Sequence, residues 1–93
     1  MAVTFRIPSY LAAFAGDHNS ITIDASPSTA GDALQLLWSL HPGLRDRMVD
    51  EQGDVRQHIN VFVGNECIRF TGGLATPVPA DAELLVVPAV SGG

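Results

Sequence analysis

The group most able to do chemistry in this sequence is the carboxylate at its end, which follows the glycines Gly92 and Gly93. Glycine loses more conformational entropy on ordering than any other residue, so a terminal glycine pair adds nothing to packing. Without side chains, however, the pair could enter a narrow channel in another protein, followed by the small residues Val90 and Ser91. Fully extended, residues 89–93 reach roughly 17 Å. We therefore expect a tail that carries a functional carboxylate; the alternative is a disordered end without a role.

The other residues that could do chemistry form no catalytic pattern. Cys67 is the only cysteine, so no internal disulfide is possible, and a lone cysteine in a hairpin is more often a small apolar residue than a reactive thiol. Gly72 and Gly73 lack the Lys-Ser/Thr and the helix that follow a phosphate-binding loop, which favours a turn. We expect Asp81 and Glu83 to be solvated charges rather than an acid–base pair. Three histidines lack the spacing of metal ligands, so we predict no metal site: His18, His41 and His58.

The composition restricts the class of partner. The 93 residues suffice for one globular domain, with 46% hydrophobic and 16% charged residues. Ten acidic and five basic residues give a net charge of −5, which disfavours nucleic acids and anionic membranes and suits a basic patch on a protein. All five basic residues are arginines, so the sequence contains no lysine. We see neither a signal peptide nor an apolar run of ~20 residues and expect a cytoplasmic protein.

Several segments have the side-chain alternation of strands with one buried face. Residues 2–7 and residues 20–24 alternate apolar and polar side chains, and residues 58–70 read as a hairpin with a two-residue turn at Gly64-Asn65. Residues 84–88, in contrast, are apolar at every position, which is typical of a central strand pressed on both faces.

One convincing helix lies between the second strand and the hairpin. Thr29 is a suitable N-cap with Asp32 three residues later, and the His-Pro-Gly sequence at residues 41–43 should end the helix. We expect residues 44–57 to form a polar loop with at most one short turn of helix. The helix carries a broad apolar stripe of Ala30, Ala33, Leu34, Leu36, Leu37, Trp38 and Leu40.

These elements predict an α+β domain over residues 1–88, followed by a flexible C-terminal tail of residues 89–93. One main helix should cross one face of a small mixed sheet of four to five strands. If the first and last strands pair in the middle of the sheet, the tail leaves from the sheet centre.

This pattern resembles the ubiquitin-like β-grasp sulfur carriers, the family that includes the thiamine carrier ThiS and the molybdopterin synthase small subunit MoaD. The resemblance covers essentially the full length and rests on the strand order, the helix start TAGDALQLL, the turn ADAELLVVP and the ending PAVSGG. The stretch RFTGGLAT at residues 69–76 is most similar to the carriers that supply sulfur for cysteine biosynthesis. Asp81 replaces a glycine that is usual in the turn, and Ala89 replaces the second residue of a frequent Pro-Pro. Aspartate tolerates the left-handed conformation, so we expect the turn to be kept.

The resemblance implies a carrier protein rather than an enzyme. An E1-like adenylating enzyme of the MoeB or ThiF type would use ATP to activate Gly93, which would become a thiocarboxylate, while the carrier itself binds no cofactor. A cysteine synthase-like enzyme would accept the sulfur. The alternatives are a MoaD-like role with the large subunit of molybdopterin synthase, a ThiS-like role, a ubiquitin-like modifier of target lysines, or a plain binding module.

Alternation also predicts a docking surface beside the tail. Phe62 in the third strand and Leu85 and Val87 in the last strand should point away from the helix, whereas Leu84 and Val86 should face it. Such residues could be scattered surface apolar side chains, but a contiguous patch favours a partner-binding site.

Overall fold

The computed structural model describes residues 1–88, which form a five-stranded sheet and three α-helices. None of the helices in this range is long and apolar enough to cross a membrane. The strands are β1 (Val3–Arg6), β2 (Ser20–Ile23), β3 (Ile59–Val63), β4 (Glu66–Cys67) and β5 (Glu83–Pro88). The helices are α1 (Ser9–Ala12), α2 (Ala30–Leu40) and α3 (Pro42–Met48), with 3-10 turns at Ala13–Ala15, Ile68–Phe70 and Gly73–Ala75.

The strand order is β2-β1-β5-β3-β4, so the first strand and β5 pair at the centre of the sheet. β1 and β5 are parallel, and the other neighbouring strands are antiparallel. The predicted central pairing and the predicted mixed α+β class are therefore confirmed. β5 is central as predicted, but the prediction that it is pressed on both faces is wrong, because Leu84 and Val86 are buried whereas Leu85 and Val87 are only half-buried.

α2 covers one face of this sheet and begins where predicted. The Thr29 side-chain oxygen accepts a hydrogen bond from the backbone N–H of Asp32 at 3.1 Å, which satisfies one of the free donors at the helix start. The core between the two layers contains fully buried side chains from both: Phe5, Leu34, Leu37, Ile59, Val61, Leu84 and Val86.

Leu40 departs from the predicted apolar stripe, since it is 57% exposed. It is the last residue of α2, and at 3.6 residues per turn it lies to one side of the stripe that contains the fully buried Leu34 and Leu37. Near the end of α2, Met48 of the next helix packs against Trp38, whose Nε1 lies 3.5 Å from the methionine sulfur.

The prediction of a loop over residues 44–57 is wrong for residues 44–48, because these residues belong to the seven-residue helix α3, which ends at Met48. Pro42 is its first residue, where a missing N–H costs no intrahelical hydrogen bond. Leu44 and Met48 are four residues apart on one helix face and are both fully buried. With only two large apolar residues in the helix, its periodicity was too short to recognise in the sequence.

α1 lies at the end of the sheet from which the chain continues beyond residue 88. Pro8 follows β1 and is the N-cap residue of α1, where the sequence analysis placed no element. Leu11 and Ala12 turn into the core. Because β1 and β5 are parallel and Arg6 lies opposite Leu85, the residues after β1 are at the same end as Pro88.

Candidate functional site

The face of the sheet opposite α2 carries three apolar side chains, Phe62, Leu85 and Val87, which we call the apolar strip. In β5, Leu84 and Val86 are at most 1% exposed, whereas Leu85 and Val87 are half-buried. Phe62 is half-buried between two buried neighbours in β3. The alternation therefore divides the residues of these strands between the two faces as predicted from the sequence.

The register of β3 and β5 makes the apolar strip continuous. Phe62 lies directly opposite Leu85, and Val87 follows on the same face, opposite Asn60. Directly opposite residues in an antiparallel pair have Cβ atoms about 4.5–5.5 Å apart, so the Phe62 and Leu85 side chains are neighbours. Cys67 lies opposite Phe62 on β4 and is half-buried. The three apolar residues are thus one patch and not scattered positions.

Charged and polar side chains border the apolar strip on both sides. Arg6 lies opposite Leu85 on β1, and its Nε donates to Glu83 Oε2 at 2.8 Å. Both side chains of this ion pair are about half exposed, so it contributes little to stability. On the β3 side, Asn60 Oδ1 accepts a hydrogen bond from Arg69 Nε at 2.8 Å. An apolar centre with a polar rim is the usual composition of a protein–protein interface.

The apolar strip lies next to the start of the predicted tail. Pro88 is the last described residue; it lies opposite Ile59 and directly follows Val87. Because β5 is the central strand, the chain continues from the middle of the sheet. The predicted tail residues lie outside the described residues, so their role stays a prediction: Val90, Ser91, Gly92 and Gly93.

Two turns behave as the sequence indicated. Asp81 has a φ of 58°, and its Oδ1 accepts a hydrogen bond from the Ala2 backbone N–H at 3.0 Å, which ties the turn before β5 to the start of β1. The turn is therefore kept without the glycine.

Gly72 and Gly73 also have positive φ, and Thr76 Oγ1 donates to the Gly73 carbonyl at 2.7 Å. This pair forms a turn and is not followed by the α-helix that a phosphate-binding loop requires.

The described residues contain no cluster suited to a metal ion. No three His, Cys, Asp or Glu side chains among residues 1–88 are grouped as metal ligands. A cavity of about 340 Å³ lies beside β3 and is lined mainly by apolar residues, with Asp54 and Arg69 as its charged members. No nucleophile and base lie together among its lining residues.

The sequence analysis gave no role to Arg69, although its guanidinium makes four hydrogen bonds. Three of the acceptors are backbone carbonyls, two in the loop before β3 and one at its first residue, and neither periodicity nor a motif reveals such acceptors. Phe70 was also not singled out; it is 86% exposed, the highest value among the large hydrophobic residues that the structure describes.

Three comparisons with known proteins agree with this architecture. The profile of the ThiS family matches residues 5–93. The chain is 34% identical over 95 residues to the sulfur carrier protein CysO of Mycobacterium tuberculosis, with both chains covered completely. The crystal structure of the Amycolatopsis orientalis BexX/CysO complex matches with 35% identity and a TM-score of 0.84, covering 98% of this chain and 99% of that chain. The crystal structure of SAMP1 from Haloferax volcanii matches with 32% identity, a TM-score of 0.80 and complete coverage of both chains. The predicted ubiquitin-like β-grasp fold is thereby confirmed.

Leu84→Ala and Leu85→Ala apply the same chemical change to adjacent residues on opposite faces of β5. Leu84 is fully buried, so its truncation leaves a cavity and should lower the free energy of unfolding by about 2–5 kcal/mol. Leu85 is half-buried, so its truncation should cost clearly less. Urea denaturation of both variants measures the difference. Equal losses would show that the apolar strip is part of the core and is not an available surface.

Proposed function

Because the chain belongs to the ThiS family, we propose that it is a sulfur carrier that holds the sulfur as a thiocarboxylate at Gly93. The observation that carries the proposal is the position of β5: the central strand ends beside the apolar strip, five residues before Gly93. A protein docked on the strip is within reach of the terminal carboxylate, since five extended residues span roughly 17 Å. The full-length similarity to the sulfur carrier CysO supports the same role.

Activation requires a partner enzyme, because a carboxylate is a poor electrophile. In an E1-like adenylating enzyme of the MoeB or ThiF type, a carboxylate oxygen of Gly93 attacks the α-phosphorus of ATP, pyrophosphate leaves, and a mixed anhydride with AMP forms. A sulfur nucleophile then attacks the activated carbonyl carbon, and AMP leaves with the bonding electrons. Sulfur thereby replaces one oxygen, and it stays covalently attached instead of diffusing away as sulfide.

The sulfur acceptor that we favour is a cysteine synthase-like enzyme of cysteine biosynthesis. The thiocarboxylate sulfur would form a bond to the β-carbon of an activated serine derivative there, from which the activating group leaves with the electrons of its carbon–oxygen bond. We place both partners and the carrier in the cytoplasm. The full-length similarity to CysO favours this acceptor. A MoaD-like role with the large subunit of molybdopterin synthase, or a ThiS-like role, would use the same chemistry at Gly93.

We assign partner docking to the apolar strip. Burying a side chain of the size of Phe62 contributes about 1.5–3 kcal/mol before the cost of ordering is subtracted. Arg6 and Glu83 offer one charge of each sign beside the strip, which can set the orientation of a bound partner. The net charge of −5 favours a partner whose surface around the docking site is basic.

Phe62→Ala should weaken binding to the adenylating enzyme by about tenfold or more while changing the melting temperature only slightly. Val87→Asp, which places a charge in the apolar strip, should weaken binding further. Thr22→Asp is the matched control, because Thr22 is exposed on the same face but belongs to the edge strand β2. Isothermal titration calorimetry measures affinity and thermal denaturation measures stability. A large loss of stability with unchanged affinity would contradict the docking role.

Deletion of Gly93 should abolish activation and leave folding intact. The terminal carboxylate would fall one residue short of the α-phosphorus, and a misplacement of even about 1 Å can cost roughly a hundredfold in rate. ATP–pyrophosphate exchange catalysed by the adenylating enzyme reports the activation step directly. If the truncated chain supports exchange at the rate of the full-length chain, the carrier proposal is wrong.

A ubiquitin-like modifier is the second candidate, because the chain is also similar over its whole length to SAMP1, a small archaeal modifier protein by name. The same activated carboxyl group could form an amide with a lysine of a target protein. The sequence restricts this candidate: with no lysine of its own, the protein cannot form lysine-linked chains of itself.

We expect the protein to be recovered from cells as free carboxylate and thiocarboxylate forms rather than as conjugates. Intact mass spectrometry distinguishes the two forms, and an immunoblot for slower-migrating species detects conjugates. Abundant conjugates on other proteins, or a ladder joined through the amine of Met1, would place the modifier candidate ahead of the carrier.

A further inference from the structure

Arg69 holds the segment that leads into β3. Its Nε donates to Asn60 Oδ1 at 2.8 Å, and its Nη2 lies 2.8 Å from the Arg56 carbonyl oxygen, 3.3 Å from that of Gln57 and 2.6 Å from that of Ile59. One planar guanidinium thus binds four of the five residues from 56 to 60. A lysine could not do so with the same geometry, because its ammonium has no fixed fork of donors.

The hydrogen bond to Ile59 replaces one that a neighbouring strand would provide. β4 has only two residues and pairs only with Phe62 and Val63, so no strand within residues 1–88 neighbours the edge of β3 at its first residues. The Ile59 carbonyl lies on this open edge and accepts from Arg69 instead. The Arg69 side chain therefore completes the hydrogen bonding of β3 where β4 is too short.

The start of β3 is also the partner of the end of β5. Asn60 lies opposite Val87, and Ile59 lies opposite Pro88. Just beyond the other end of β3, the Gly64 N–H donates to the Glu83 carbonyl of β5 at 3.0 Å, which continues the pairing register of the two strands. Because hydrogen-bonded pairs alternate along an antiparallel ladder, Asn60 and Val87 form the last hydrogen-bonded pair of β3 and β5 before the tail.

A second arginine connects the same segment to α3. Arg56 Nε and Nη2 both donate to the Asp46 carbonyl, at 3.1 and 2.9 Å, and the Arg56 N–H donates to the Met48 carbonyl at 2.9 Å. Arg69 in turn binds the Arg56 carbonyl. The two guanidinium groups therefore link α3, the start of β3 and, through the ladder, the end of β5.

We propose that Arg69 is a positioning residue for the tail: by holding Ile59 and Asn60 it keeps Val87 and Pro88 paired, and so fixes the point from which residues 89–93 continue. This role rests on the proposed function. When the last pair opens, the chain between the nearest paired residue and Gly93 lengthens, and a longer connecting segment lowers the effective concentration of its end at the partner's ATP. Arg69 thus acts on the rate of activation within the complex rather than on docking.

The test compares Arg69→Gln with Arg45→Gln, which removes the same charge from α3. The Arg45 guanidinium lies 3.7 Å from the exposed carboxylate of Asp46, the neighbouring residue. Amide hydrogen exchange of the isolated protein at Asn60 and Val87 measures opening of the last pair. ATP–pyrophosphate exchange with the adenylating enzyme at varied carrier concentration separates kcat from KM.

We expect Arg69→Gln to accelerate exchange at both amides about tenfold and to lower kcat by up to about twofold at nearly unchanged KM, whereas Arg45→Gln leaves all these values near wild type. Unchanged amide exchange would show that Arg69 does not hold the pair. Faster exchange with unchanged kcat would make Arg69 purely structural, and a raised KM alone would make it a docking contact; each result overturns the proposal. If wild type itself is not activated, the proposed function fails and the positioning role fails with it, while amide exchange still shows whether Arg69 holds the strand end.

Discussion

The parallel pairing of β1 with β5 is the contact on which the rest of the fold depends. Phe5 lies opposite Leu84 in this pair, and both side chains are fully buried beneath α2. β2 pairs with β1, and β3 pairs with β5. The pairing of β1 with β5 therefore joins the two antiparallel parts of the sheet, β2-β1 and β5-β3-β4. The position of the apolar strip and the point at which the chain leaves the sheet both follow from it.

β5 serves two purposes because successive side chains of a strand point to opposite faces. Leu84 and Val86 fill the core, whereas Leu85 and Val87 belong to the apolar strip. The strand that leads to Gly93 thus has a strand on each edge and α2 above one face. Leu85 and Val87 of the apolar strip therefore belong to the same element as Pro88, the last described residue of the strand.

The features that depend on local pattern could be predicted from the sequence, and those that depend on long-range contacts could not. Alternation identified the strands and the faces of β3 and β5, and Thr29 marked the start of α2. α3 was missed because Leu44 and Met48 alone do not define a period, and Leu40 was assigned to the core although it lies at the edge of the stripe. The hydrogen bonds of Arg69 could not be predicted, because three of its four acceptors are backbone carbonyls placed by the tertiary fold.

The central position of the last strand also governs when this protein can fold. Arg6 and Glu83 form an ion pair across a separation of 77 residues, so the middle of the sheet joins the two ends of the chain. Contacts between such distant residues carry a large loop-closure cost and form slowly. During synthesis, β1, β2 and α2 leave the ribosome long before their central partner exists, and the sheet cannot close until β5 has emerged. A nascent chain whose β5 has not yet emerged therefore lacks the central strand that contributes Leu85 and Val87 to the apolar strip.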